Sequence, residues 1–310
     1  MPEVLSLMAI FVGIFLFGMT VIRIGLQTAS KKHMQVLLMK MTDTPLKGLI
    51  TGTIVTAIMQ SSSAVLVITV GLVAAGFLTF KQSIGIILGV NIGTTFTNEL
   101  LTLDPSSYLP FLLIGGTALI LFNYRLLFSV GCLFFGLGCI FVAMQGFESL
   151  ADPLSSTTAF TSFLTDSNEN IFLGVGIGTL LTAIIQSSTA TTGIVMGLLN
   201  HHLLTLPAAI AIVLGANIGT CITAYLASIG TNIEAKLVAY AHIWLNILGV
   251  LLFLPIIKQL SFITEQLTSF PDVQIAHASL IFNLLSSLLA LPFAGLLASL
   301  LLKIHKKRPS

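Results

Sequence analysis

The chain has 310 residues, of which 55% are hydrophobic and only 8% are charged, with a formal net charge of +2. A soluble domain carries roughly 25% charged residues, so the composition excludes one. A net charge this small offers no basic surface for nucleic acid.

Apolar runs long enough to cross about 30 Å of hydrocarbon as a helix recur at residues 4–22, 82–101, 107–122, 126–147, 206–229, 237–257 and 274–302. The alternating segments of a β-barrel are missing, so the expected fold is an all-α membrane protein. The first run has no basic leader and no small-residue cleavage pattern, and it reads as a span. After it comes an apolar stretch, 48–76, interrupted by Gln60-Ser61-Ser62-Ser63, and about 30 residues later Asn91-Ile92-Gly93-Thr94. The second half does the same, with Gln186-Ser187-Ser188-Thr189 inside 171–200, followed by Asn217-Ile218-Gly219-Thr220.

Residues 52–97 and 178–223 align without a gap and are identical at half their positions. The likeness reaches the leading helices, where Gly13, Phe17 and Gly18 match Gly131, Phe135 and Gly136. The longest polar connection, about 148–170, separates the halves. The expected organisation is therefore repeat 1 over 1–125, repeat 2 over 126–232, and C-terminal helices with a basic tail over 233–310. Small residues at helix contacts alone would explain glycine and serine, but packing has no use for a glutamine followed by three hydroxyls. Cys132, Cys139 and Cys221 lie in apolar runs without metal spacing and read as packing residues.

The basic residues set an orientation. If each Gln-Ser-Ser segment enters the membrane and turns back, every Lys and Arg except Lys258 faces the cytoplasm. If both segments span, Lys81 and Arg125 also move outside. The re-entrant arrangement is thus preferred, with the N-terminus outside and the C-terminus in the cytoplasm of a cell inner membrane. It leaves an odd number of spans in the first half, so the two repeats are expected to be inverted. Inverted repeats with re-entrant hairpins and a broken transmembrane helix in each half are a transporter pattern.

Serine and threonine are good N-caps, so the second arm of each hairpin can begin at the polar cluster with free backbone N–H groups. Helix starts of this kind suit phosphate-like anions. Ser61, Ser62, Ser63, Ser187, Ser188 and Thr189 add hydroxyl donors, with Thr191 and Thr192 as further candidates, and Gln60 and Gln186 can donate or accept. Gly93 and Gly219 are expected to loosen their helices and free carbonyls that, with the Asn91 and Asn217 side chains, suit sodium. No Lys, Arg, Asp or Glu occurs in 48–80 or 171–233, and Lys81 and Glu99 lie just beyond the first, so an anion there has no fixed counter-ion within the repeat cores. A buried dianion then requires co-bound cations, which couples the two solutes.

Arg23 reads as a snorkelling residue at the inner interface. His242 and Asn246 precede Pro255 as His277 and Asn283 precede Pro292, and both a functional role and interhelical bonding remain open for these pairs.

The doubled Gln-Ser-Ser-Ser and Gln-Ser-Ser-Thr clusters, each trailed by Asn-Ile-Gly-Thr, resemble the type II sodium-phosphate cotransporter family from Gly13 to about Pro292. The resemblance implies transport of inorganic phosphate with sodium as the coupling ion, no other cofactor, and no enzymatic activity. It places phosphate at Gln60, Ser61, Ser62, Ser63, Gln186, Ser187, Ser188 and Thr189. It places sodium at Gln60, Ser61, Asn91, Thr94, Gln186, Ser187, Asn217 and Thr220. Partners are phosphate, sodium and the lipid bilayer, with a homodimer among the assemblies left open. Alternatives are a carrier of sulfate or a dicarboxylate, a phosphate exporter, and a membrane lipid-diphosphate phosphatase. The last needs carboxylates and an arginine near the serines, which the repeat cores lack.

Overall fold

The computed structural model describes residues 2–103 and 107–306, and every regular element among them is helical. A long helix α1 (Pro2–Lys40) leads into α2 (Pro45–Met59) and α3 (Ser62–Ala74), which are separated only by Gln60 and Ser61. α4 (Phe80–Leu101), the short α5 (Leu109–Ile120) and α6 (Arg125–Ser149) complete the first half. Two connecting helices, α7 (Ala151–Ser155) and α8 (Thr158–Glu169), reach the second interrupted pair, α9 (Ile171–Ile185) and α10 (Ser188–Asn200). α11 (Leu206–Gly219) and α12 (Cys221–Ser228) follow, then α13 (Ile233–Phe253), α14 (Ile257–Leu267), α15 (Pro271–Ala290) and α16 (Ala294–Lys306). Among the described residues, six stretches are long and apolar enough to cross a membrane: Glu3–Ala29, Phe80–Leu101, Arg125–Ser155, Leu206–Ser228, Ile233–Leu267 and Pro271–His305. The protein is a membrane protein built from helices.

Several expected boundaries move. Run 107–122 becomes α5, whose 12 helical residues cover about 18 Å, so a return across the bilayer here needs the flanking residues as well as the helix. Pro110 fixes its first turn, and the chain leaves the helix after Ile120. Runs 237–257 and 274–302 are each interrupted by a 3-10 turn, Leu254–Ile256 and Leu291–Phe293, because Pro255 and Pro292 cannot donate the next helical hydrogen bond. The broken helix expected at Asn91-Ile92-Gly93-Thr94 does not occur, since α4 runs through Gly93 without interruption. In the second copy α11 closes at Gly219 and α12 starts at Cys221, with Thr220 still in helical conformation. The tail residues Lys307 and Arg308 lie outside the described residues.

The glycines explain both repeat packings. A methyl group on Gly52 would lie 2.5 Å from the Ile86 carbonyl, and one on Gly85 equally close to the Pro45 carbonyl. Further along, Gly89 meets the Leu49 carbonyl and Gly93 the Thr53 carbonyl, so α2 and α4 run parallel in backbone contact. Val175 with Gly215 and Thr179 with Gly219 repeat the arrangement between α9 and α11. Even the side-chain lock is duplicated: Thr53 donates to the Gly89 carbonyl and Thr179 to the Gly215 carbonyl, both at 3.1 Å.

The leading helices meet each other. Gly18 and Gly136 each face the other's carbonyl, Gly25 lies against Ser129 and Cys132, and Gly146 against Phe11, so α1 and α6 are antiparallel. The repeat-related Phe17 and Phe135 rings pack edge to face, 6.3 Å apart. One core joins α1, α6, α10, α11 and α15 around Phe15, Met144, Phe147 and Met196. A second joins α2, α3, α4, α13 and α16 around Val55, Leu66, Ile84 and Val238. Each polar turn is therefore held in a different core.

Candidate functional site

The two polar turns have the same backbone. Gln60 ends α2 in the left-handed region at φ 50°, and Gln186 ends α9 there at φ 58°. Ser61 and Ser187 follow in extended conformation and cap the next helices, their hydroxyls accepting the Ala64 and Ala190 N–H groups at 3.2 Å. In α3 this leaves the N–H groups of Ser62 and Ser63 without intrahelical partners, and in α10 those of Ser188 and Thr189.

Both turns open onto one cavity of about 260 Å³. Gln60, Ser61, Ser62, Ser63 and Thr94 line it from the first copy, and Ser187, Ser188 and Thr189 from the second. Thr97 and, from α1, Leu16, Met19, Thr20 and Arg23 complete the wall. Among the described residues, the hydroxyls of Ser62, Ser188 and Thr189 have no hydrogen-bond partner. No carboxylate is among the lining residues. A neighbouring cavity of about 560 Å³ shares Arg23, Ser61 and Ser63 and adds Gln27, Gln186 and Thr223.

Gln60 is tied on both sides: its amide donates to the Ala57 carbonyl at 2.5 Å, and its carbonyl oxygen accepts from Thr97 at 2.9 Å. Thr223, the counterpart of Thr97 in the repeat, bonds Ser63 across the two copies at 3.2 Å. Sequence reasoning passed over both threonines, although they are identical at the last aligned position of the repeat.

Asn91, Asn217 and Thr220 are not in the lining of the central cavity. Asn91 donates to the Asn246 side chain at 3.2 Å, Asn217 to the Val213 carbonyl at 3.0 Å, and Thr220 to the Ala216 carbonyl at 3.0 Å. Asn98, two turns beyond Asn91, donates to Ser279, whose carbonyl accepts from Asn283. Asn246 thus fastens α13, and Ser279 fastens α15, to one face of α4. His277 lies 3.1 Å from Glu99, while His242 is buried. Interhelical bonding accounts for Asn246, whereas Asn283 donates within its own helix to Ser279.

Arg23 corrects the expectation of an uncharged site. It turns inward to both cavities, and its Nε is buried with no partner.

The sequence profile of the family described as Na+/Pi-cotransporter matches residues 14–149 and 154–276. A Bacillus subtilis protein of uncharacterised function, YqeW, is 42% identical over 91% of this chain and 92% of its own length. YjbB of Salmonella typhimurium, whose assigned name proposes inorganic phosphate export, is 24% identical over 96% of this chain. This chain spans 55% of YjbB's length. The human sodium-dependent phosphate transport protein 2B is 34% identical over 43% of this chain and 20% of its own. No solved structure matches.

Proposed function

Because the chain belongs to the Na+/Pi-cotransporter family, we propose that it moves inorganic phosphate across a membrane together with sodium, the anion resting between the two Gln-Ser-Ser turns. The observation carrying this reading is that both turns, from separate cores, line one cavity with unpaired hydroxyls and the starts of two helices. Donors converge there and carboxylates do not, which suits an anion. Ser62, Ser63, Ser188 and Thr189 are the proposed phosphate ligands, with Ser61 and Ser187 holding the helix starts. Oxygens of Gln60 and Thr94 are proposed for sodium; Asn91 and Asn217 act at one remove by fixing α4 and α11. Gln186 contributes from the adjoining cavity.

The helix contacts support re-entrant, inverted repeats. α2 and α4 run parallel, yet only residues 75–79 join α3 to α4. An α3 that continued the direction of α2 would end about 40 Å from Pro45, too far for that connection to bring Gly85 against the Pro45 carbonyl. The antiparallel α1 and α6, counterparts in the repeat, support the inversion. Orientation follows from the same contacts, with Arg125 donating to the Thr28 carbonyl at 2.7 Å and Asn232 to the Ala74 carbonyl at 3.0 Å. Lys47, Lys81, Arg125 and Lys236 then share one end, proposed as cytoplasmic.

Proteoliposomes test the coupling: radiolabelled phosphate uptake is expected to accelerate under an inward sodium gradient relative to choline. Equal uptake in both would reject it, and uptake of sulfate or a dicarboxylate in place of phosphate would reassign the anion. The name of YjbB favours export as a second reading. A symporter runs whichever way its combined gradients point, so export and import are one mechanism under different conditions. The phosphatase alternative has gained an arginine near the serines, but the cavity lining offers no carboxylate to act as acid or base.

A further inference from the structure

Arg23 sits in the last third of an apolar helix, six residues before the end of the Glu3–Ala29 stretch. Its side chain is half-buried, and among the described residues its guanidinium forms no hydrogen bond and no ion pair. An unpaired cation in a membrane interior is costly and is ordinarily matched by a carboxylate or a carbonyl. A snorkelling arginine meets that cost by reaching water at the interface. Arg23 instead lines the cavity between the two turns, together with Ser61, Ser62, Ser63, Ser187 and Ser188, and no other charged residue lines either that cavity or its neighbour.

We infer that Arg23 is the fixed counter-ion of the transported anion, binding phosphate directly and standing in for one sodium ion. This rests on the phosphate reading of the site. The planar fork of guanidinium N–H groups matches two phosphate oxygens at once, and the hydroxyls and helix starts of the two turns supply donors to the others. Charge then sets the stoichiometry of neutralisation. A divalent phosphate against one arginine leaves a single negative charge, which one sodium ion balances. Without Arg23 the same anion needs two. α1 belongs to neither turn, so the anion joins three elements, and release into the neighbouring cavity passes the same guanidinium.

Phosphate binding to purified full-length protein, titrated at several sodium concentrations, tests this for Arg23→Gln and Arg23→Lys beside the unaltered chain. Arg23→Gln is expected to weaken phosphate roughly 10- to 100-fold and to steepen the dependence of its affinity on sodium by about one ion. Arg23→Lys keeps the charge and loses the fork, so its sodium dependence should match that of the unaltered chain while its affinity falls by less. Unchanged affinity in Arg23→Gln, or in Arg23→Lys should Arg23→Gln fail to elute as folded protein, overturns the inference and returns Arg23 to a structural role. Failure of the unaltered chain to bind phosphate at any sodium concentration removes the phosphate reading itself.

Discussion

Gln60 and Gln186 hold a backbone conformation that costs a residue with a side chain about 1–2 kcal/mol, and both copies retain it. At Gln60 the return is visible: its N–H closes α2 on the Thr56 carbonyl while its side chain ties Thr97 to the cavity wall. Gln60→Gly keeps the turn without strain, so thermal stability should be nearly unchanged while phosphate transport falls. Transport equal to that of the unaltered chain would separate Gln60 from the site. Ser62 and Ser188 carry free hydroxyls, so Ser62→Ala and Ser188→Ala should each weaken phosphate binding by roughly 1–3 kcal/mol without lowering the melting temperature. Normal affinity in both removes them from the anion site. These positions were legible because a hydroxyl run in apolar sequence has no packing rationale and appears twice. Arg23 was not, since an arginine near the end of an apolar run looks the same whether it reaches outward to water or inward to a cavity.

The interruptions of the helices were readable where chemistry forces them. Polar clusters broke the chain at Gln60 and Gln186, and Pro255 and Pro292 imposed short 3-10 turns. Gly93 was read as a loosening point, but a glycine without a side chain serves equally well for close approach, and α2 occupies the space a side chain would need. Apolar content overstated α5, because hydropathy does not register that the chain turns after Ile120. Packing gives a direct test. A methyl group on Gly178 would collide with the Ile212 carbonyl, whereas Gly71 and Gly176 face open space. Gly178→Ala should destabilise the protein by about 1–3 kcal/mol. Gly71→Ala and Gly176→Ala, within helices, should be neutral or stabilising by up to about 1 kcal/mol. Thermal unfolding in detergent checks all three, and equal melting temperatures would mean that α9 and α11 do not depend on that contact.

Across the molecule, the proposed topology puts Lys47, Lys81, Arg125 and Lys236 at one end. Lys47 and Lys81 lie near the contact of Pro45 with Gly85, whereas Glu148 bonds Asn200 at 2.9 Å toward the opposite end. Cysteines introduced at Lys47 and Lys81 should therefore react with an impermeant thiol reagent from the same side of the membrane, and one at Glu148 from the other. Labelling of Lys47→Cys and Lys81→Cys from opposite sides would mean that the first polar segment crosses the membrane. The sequence speaks to the proposed re-entrant arrangement only indirectly, through the distribution of lysine and arginine, because a segment that turns back is set by packing between helices rather than by composition. On the proposed reading, phosphate and sodium in one pocket bind in mutual dependence, each raising the other's affinity by the same factor. Calorimetric titration of phosphate into the purified protein should give binding about tenfold tighter or more in sodium than in choline, mirrored when sodium is titrated with and without phosphate. Equal phosphate affinity in the two salts would contradict a pocket in which anion and cation neutralise one another.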